Sequence, residues 1–272
     1  MEKKWSRANF GVAGEENNLP FNPSLKRGYM AGRKHLAEFQ SGQDKKVIRG
    51  ILRVDNEGKN FGAIELEDLA KTAQHEFRLL SEKYGINVAK TEFVVGEDAD
   101  GNKCVFSVTD RIEGQNFDQI AEEGLSDNSR EEWKNLISKA NETAIALFDY
   151  YCDKAANGGS YLADAAYFVQ YVYGRKSQSG NNDLYLVDTD ILLGNIDNET
   201  KSKELLSEKI LTVWLKFIKS TENKLSDALR KQVYLNEARD YISRRVAQPA
   251  PDGFEKVFEE LNDLELNKVI IT

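Results

Sequence analysis

Apolar positions recur along this chain with two periods, and the change from one to the other divides it. Over 46–54, "KVIRGILRV" alternates and is rich in β-branched residues, which predicts a strand. Between 68 and 84, Leu69, Ala73, Phe77, Leu80 and Tyr84 fall at helical spacing, with Glu76 beside that stripe rather than opposite it. "TEFVVGEDADGNKCVFSVTDRI" (91–112) holds two β-rich runs joined by an acidic loop with Asp100-Gly101, a hairpin pattern. A short helix is expected at 117–123. The longest periodic run follows. Ser129 and Glu132 are spaced as a capping box, and Trp133, Leu136, Ile137, Ala140, Ala144, Leu147 and Tyr151 keep one face apolar until "NGGS" ends it. "YVYG" (171–174) and "DLYLVD" (183–188) read as short strands around the polar loop "RKSQSGNN". Helices are predicted at 202–220 and 223–246, and at 253–263 after the break "AQPAPDG". Residues 1–44 are polar and glycine-bearing, with poor periodicity.

Strands with one helix come first, and helices with two small strands inserted come after. This order predicts an α+β fold with segregated elements, since a doubly wound sheet would alternate helix and strand from the start. The expected division is a strand-rich part over 1–107 and a helical part over 108–272.

Composition narrows the partners. The chain has 272 residues, 40% of them hydrophobic, and a net charge of −8. That supports ordinary cores but repels phosphate backbones, so no nucleic acid partner is expected. No stretch approaches a membrane span and the N-terminus lacks the apolar core of a signal peptide, so no membrane partner is expected. Cys104 and Cys152 match no metal spacing and read as free thiols in a reducing cytoplasm. With only His35 and His75, histidine-rich metal sites and histidine-assisted nucleophiles are improbable. His75, the pairs Lys3-Lys4 and Lys45-Lys46, and Trp133 and Trp214 have plain structural readings: surface or rim for the first five, core for the tryptophans.

The candidate chemistry lies at "LYLVDTDIL" (184–192). A short apolar strand ends in Asp188 and Asp190, a common way to hold a divalent cation against a phosphate. The same pair could cap a turn. A calcium loop is excluded, because Ile191 and Leu192 stand where further oxygen ligands would be needed.

Topology over most of the chain, together with these short motifs, resembles the protein-kinase-like and aminoglycoside-phosphotransferase-like superfamily. The resemblance implies a two-lobed fold, ATP and Mg2+ as cofactors, and a small-molecule or protein hydroxyl as acceptor. "GILRVD" (50–55) looks like the strand carrying the phosphate-binding cation, here Arg53, with Glu76 as its ion-pair partner. "VTDRIEGQNFDQI" (108–120) is similar to the hinge that meets the nucleotide, and includes Arg111. Gly28 and Gly32 in "KRGYMAGRK" stand in for the glycine-rich loop. "YLADAAYFVQYVYG" (161–174) resembles the catalytic loop, with Asp164 positioning the acceptor hydroxyl. Asp188 would hold the metal, with Gln170 and Asp190 assisting.

The motif departs from the family. Asp164 precedes Gln170 by six residues rather than five, Gln stands for Asn, Arg for Lys, and no basic residue adjoins Asp164. A pseudokinase with a degraded catalytic loop is therefore among the readings. Asp188-Thr189-Asp190 also resembles the Asp-x-Asp motif of glycogenin-like glycosyltransferases, which implies manganese and a nucleotide-sugar. A third reading is a non-catalytic interaction module.

Overall fold

A computed structural model describes residues 36–41, 44–51, 63–97, 103–162, 164–176, 180–187, 193–195 and 200–269. Among the described residues the strand-rich part shows one antiparallel sheet and one helix. Strands β1 (Leu36–Ser41), β2 (Asp44–Ile51), β3 (Thr91–Glu97) and β4 (Lys103–Asp110) form a sheet in the order β1-β2-β4-β3. Helix α1 (Ala63–Glu82) packs on it. Gln74 on α1 serves the edge strand β3 with both ends of its amide. It donates to the Thr91 carbonyl at 3.1 Å and accepts from the Phe93 amide at 3.2 Å, so part of the edge is satisfied by a side chain.

Strand β5 (Glu113–Asn116) leads into α2 (Phe117–Glu123), whose start carries a full capping box between Asn116 and Gln119. The long helix α3 (Arg130–Asn157) follows. Its expected capping box is only half present. Ser129 Oγ accepts from the Glu132 amide, but Glu132 turns its carboxylate away, to Tyr173 Oη at 2.6 Å and to the Asn182 amide at 3.0 Å. The Ser129 amide is served instead by Asp127.

Three short strands missing from the sequence prediction organise the middle of the chain. They are β5 and the three-residue β6 (Ser160–Leu162) and β9 (Leu193–Asn195). With β7 (Tyr171–Arg175) and β8 (Asp183–Leu186) they make a sheet in the order β5-β7-β8 and a separate ladder β6-β9, all antiparallel.

The C-terminal helices differ from the predicted ones at one boundary. α4 (Thr200–Thr212), a π-helical stretch Val213–Ile218 and α5 (Lys219–Leu229) run on continuously. The break expected near 221 falls at 230–235, where Arg230 takes the left-handed conformation with φ 50°. Helix α6 (Asn236–Val246) then starts without a side-chain cap of its own. Asn141 of α3 accepts from the Ala238 amide, and the buried Glu222 of α5 accepts from the Leu235 amide. Helix α7 (Glu255–Val269) follows.

The main core joins α3 to α2, to α4–α7 and to the small strands, and it includes Phe77, Leu80 and Ile86 from α1 and its following loop. A smaller cluster of Leu66, Ala70 and Val105 lies between α1 and the sheet. One face of α1 thus contributes to both.

Candidate functional site

Two antiparallel ladders are nested in the chain. The outer one pairs Leu162 with Leu193, and the inner one pairs Tyr171 with Leu186. The described stretch 164–170 therefore lies between two paired strand ends, Leu162 and Tyr171. The inner ladder extends one bond further. The Val187 amide donates to the Gln170 carbonyl at 3.0 Å, so residue 170 lies against the residue that precedes Asp188.

Within the first segment, Asp164 begins a turn closed by the Tyr167 amide on its carbonyl at 3.1 Å, and a 3₁₀ turn Phe168–Gln170 follows. Gln170 is 9% exposed. Asp188, Asp190, Arg53, Gly28 and Gly32 lie outside the described residues. Among the described residues no group of three or more His, Cys, Asp or Glu is gathered for a metal ion.

Glu76 is 2% exposed, more deeply placed than a helix acid beside a stripe would suggest. Both oxygens are engaged from α3: Oε1 by Lys154 Nζ at 2.8 Å and Oε2 by the Tyr150 hydroxyl at 2.8 Å. Arg111 follows β4, half-buried, and adjoins β5. His75 is exposed and Trp133 is buried, while the Trp214 side chain lies outside what is described.

Sequence reasoning missed the tyrosines. Tyr150 and Tyr151 are consecutive on α3, and both reach Leu162 at the entrance to the Asp164 segment. Tyr150 Oη accepts from the Leu162 amide at 2.8 Å, and the Tyr151 hydroxyl donates to the Leu162 carbonyl at 2.6 Å. Beyond Asp164, the Tyr171 hydroxyl donates to the Ala165 carbonyl at 2.8 Å. Three buried phenols therefore fix the backbone on both sides of Asp164. Burial raises all three pKa values, so the hydroxyls remain donors at neutral pH. The available signal was three aromatic residues within four positions, Phe148, Tyr150 and Tyr151, more than one helix face needs.

No family model matches the chain. No curated protein matches it either. Among solved structures it is similar to one of WaaP in complex with acyl carrier protein. The identity is 12%, the match covers 89% of each chain, and the TM-score is 0.44.

Proposed function

We propose that this chain is a kinase-like phosphotransferase or a degenerate descendant of one, with its nucleotide between the sheet bearing α1 and the helical part. The observation that supports this reading is the nested pairing of β6 with β9 and β7 with β8. It sets the Asp164 segment beside the strand end that precedes Asp188, the juxtaposition an acceptor-positioning carboxylate and a metal-holding carboxylate require. In the proposed reaction the acceptor oxygen bonds to the γ-phosphorus of ATP as the bond to the β,γ-bridging oxygen breaks. The acceptor proton passes to Asp164 and ADP leaves. Asp188 would hold Mg2+, with the Gln170 amide as a further oxygen donor.

The Asp188-Thr189-Asp190 motif that carries the glycosyltransferase alternative lies outside the described residues. The described sheets are antiparallel, and no nucleotide-binding βαβ unit occurs among the described residues.

Thermal shift with Mg2+–ATP tests the reading. A ligand at 100 times its dissociation constant stabilises by about 2.7 kcal/mol. The native chain should show that stabilisation, and Asp188→Ala should lose it while keeping its far-UV circular dichroism. An equal shift in native and variant chains would remove Asp188 from the site.

A further inference from the structure

Tyr167, which closes the turn begun by Asp164, has two ammonium groups close to its ring. Lys209 Nζ, from α4, lies 4.8 Å from the Tyr167 ring centroid and 3.1 Å from its hydroxyl. Lys216 Nζ, from the π-helical stretch, lies 4.9 Å from the same centroid. Seven residues apart on one continuous helical run, the two lysines share a face. Lys209 is 5% exposed and Lys216 is exposed, so the pair runs from the interior to the surface.

Two half-buried cations among the described residues are matched by buried carboxylates. Lys154 is paired with Glu76, and Arg239 with Glu222. Lys209, which is more deeply buried, has the Tyr167 hydroxyl within hydrogen-bond distance instead. Neither Lys209 nor Lys216 makes an ion pair among the described residues. The ring attracts both ammoniums, an effect of about 0.5–2 kcal/mol per cation. It does not use their N–H donors, however. Lysine has three, and Lys209 spends one on Tyr167. The two charges lie no further apart than about 10 Å, a Debye length at moderate salt, so they repel across a partly buried surface. A negatively charged ligand oxygen would relieve the repulsion and fill the open donors.

We propose that Lys209, Lys216 and the Tyr167 hydroxyl receive an anionic substituent of the acceptor, a phosphate monoester, beside Asp164. This deepens the phosphotransferase reading and rests on it: the substrate class is a phosphorylated small molecule that presents a free hydroxyl to Asp164. The chain's net charge of −8 disfavours diffuse anion binding, so attraction here depends on the local pair of lysines.

The test is calorimetric titration of the full chain with inorganic phosphate and with glucose 6-phosphate, using glucose as the uncharged control. The phosphate-bearing probes should bind saturably and glucose should not. Lys216→Met, at an exposed position, should weaken phosphate binding tenfold or more, and Lys209→Arg should retain more of it than Lys209→Met. Phosphate binding that Lys216→Met leaves unchanged, or that is not saturable, overturns the proposal. So does a joint loss of phosphate and Mg2+–ATP binding in a folded Lys216→Met chain, which would assign the lysines to the nucleotide. If Mg2+–ATP gives no shift in the native chain while the lysine-dependent phosphate binding is present, the anion site stands and the phosphotransferase reading falls. If Mg2+–ATP binds and phosphate binding ignores the lysines, the anion site falls alone.

Discussion

Burial holds the Cys152 thiol protonated well past the pH at which an exposed thiol ionises. Its pKa rises from 9.0 to about 12, because desolvation outweighs the attraction of Arg245. In the unfolded chain the proton leaves near pH 9. Between pH 9 and 12 the unfolded state therefore binds fewer protons than the folded one, and stability falls as pH rises. The contribution is fully present below the unfolded pKa and is lost toward the folded one. One such group gives a slope of up to about 1.4 kcal/mol per pH unit. Tyr161 and Tyr241, raised by desolvation from 10.0 to about 12, act in the same direction but begin a unit later. Urea unfolding of the native chain between pH 8 and 11 should show stability declining from about pH 9. In Cys152→Ala the onset should move to about pH 10, above a pH-independent loss of about 1 kcal/mol for the missing sulfur. Parallel curves for the two chains would show that the thiol is not the first group to titrate.

At the scale of elements, the close contact of β5 with β7 depends on two facing glycines, Gly114 and Gly174. A Cβ on Gly114 would stand 2.2 Å from the Tyr173 carbonyl oxygen, and one on Gly174 would stand 2.3 Å from that of Glu113. The obstruction is backbone, which cannot rotate aside. Gly114→Ala should therefore separate the strands and destabilise by about 3 kcal/mol, near the upper end for overpacking, as read by chemical denaturation. A change within a few tenths of a kcal/mol would show that the strands do not meet as described. β5 also shows where sequence reading fails. "EGQN" has no apolar alternation, and β6 and β9 are three residues long, too short to carry a period. Tertiary pairing makes them strands. By contrast α1, α3 and the β3–β4 hairpin were legible, because each buries a stripe or face long enough to repeat. The misplaced boundary in the C-terminal helices has a similar cause. Arg230 turns left-handed without a glycine or proline to announce it, and α6 borrows its N-terminal acceptors from Asn141 and Glu222 on other helices.

At the scale of the whole molecule, α1 is one element among the described residues that joins the sheet to the helical part. The loop that follows it adds backbone bonds: Leu186 of β8 receives the Ala89 amide and donates to the Asn87 carbonyl. Glu76 was legible as unusual from its place on the helix, but its partners were not. Lys154 and Tyr150 lie more than seventy positions away, and no local pattern links such residues. Through Tyr150 the same carboxylate is one hydroxyl from the Leu162 amide, so the ion pair, the scaffold helix and the entrance to the Asp164 segment form one hydrogen-bonded unit. Lys154 and Glu76 have side-chain exposures of 12% and 3%, so their desolvation is largely uncompensated once a partner is removed. Lys154→Met should therefore destabilise by about 3–5 kcal/mol, since it leaves a buried carboxylate with only a phenol. Adding Glu76→Gln to that variant removes the stranded charge while keeping a hydrogen-bond acceptor for Tyr150. The double variant should be more stable than Lys154→Met alone, giving a coupling in the double-mutant cycle of about 1 kcal/mol or more. Additive losses in urea unfolding would mean that the two residues act separately.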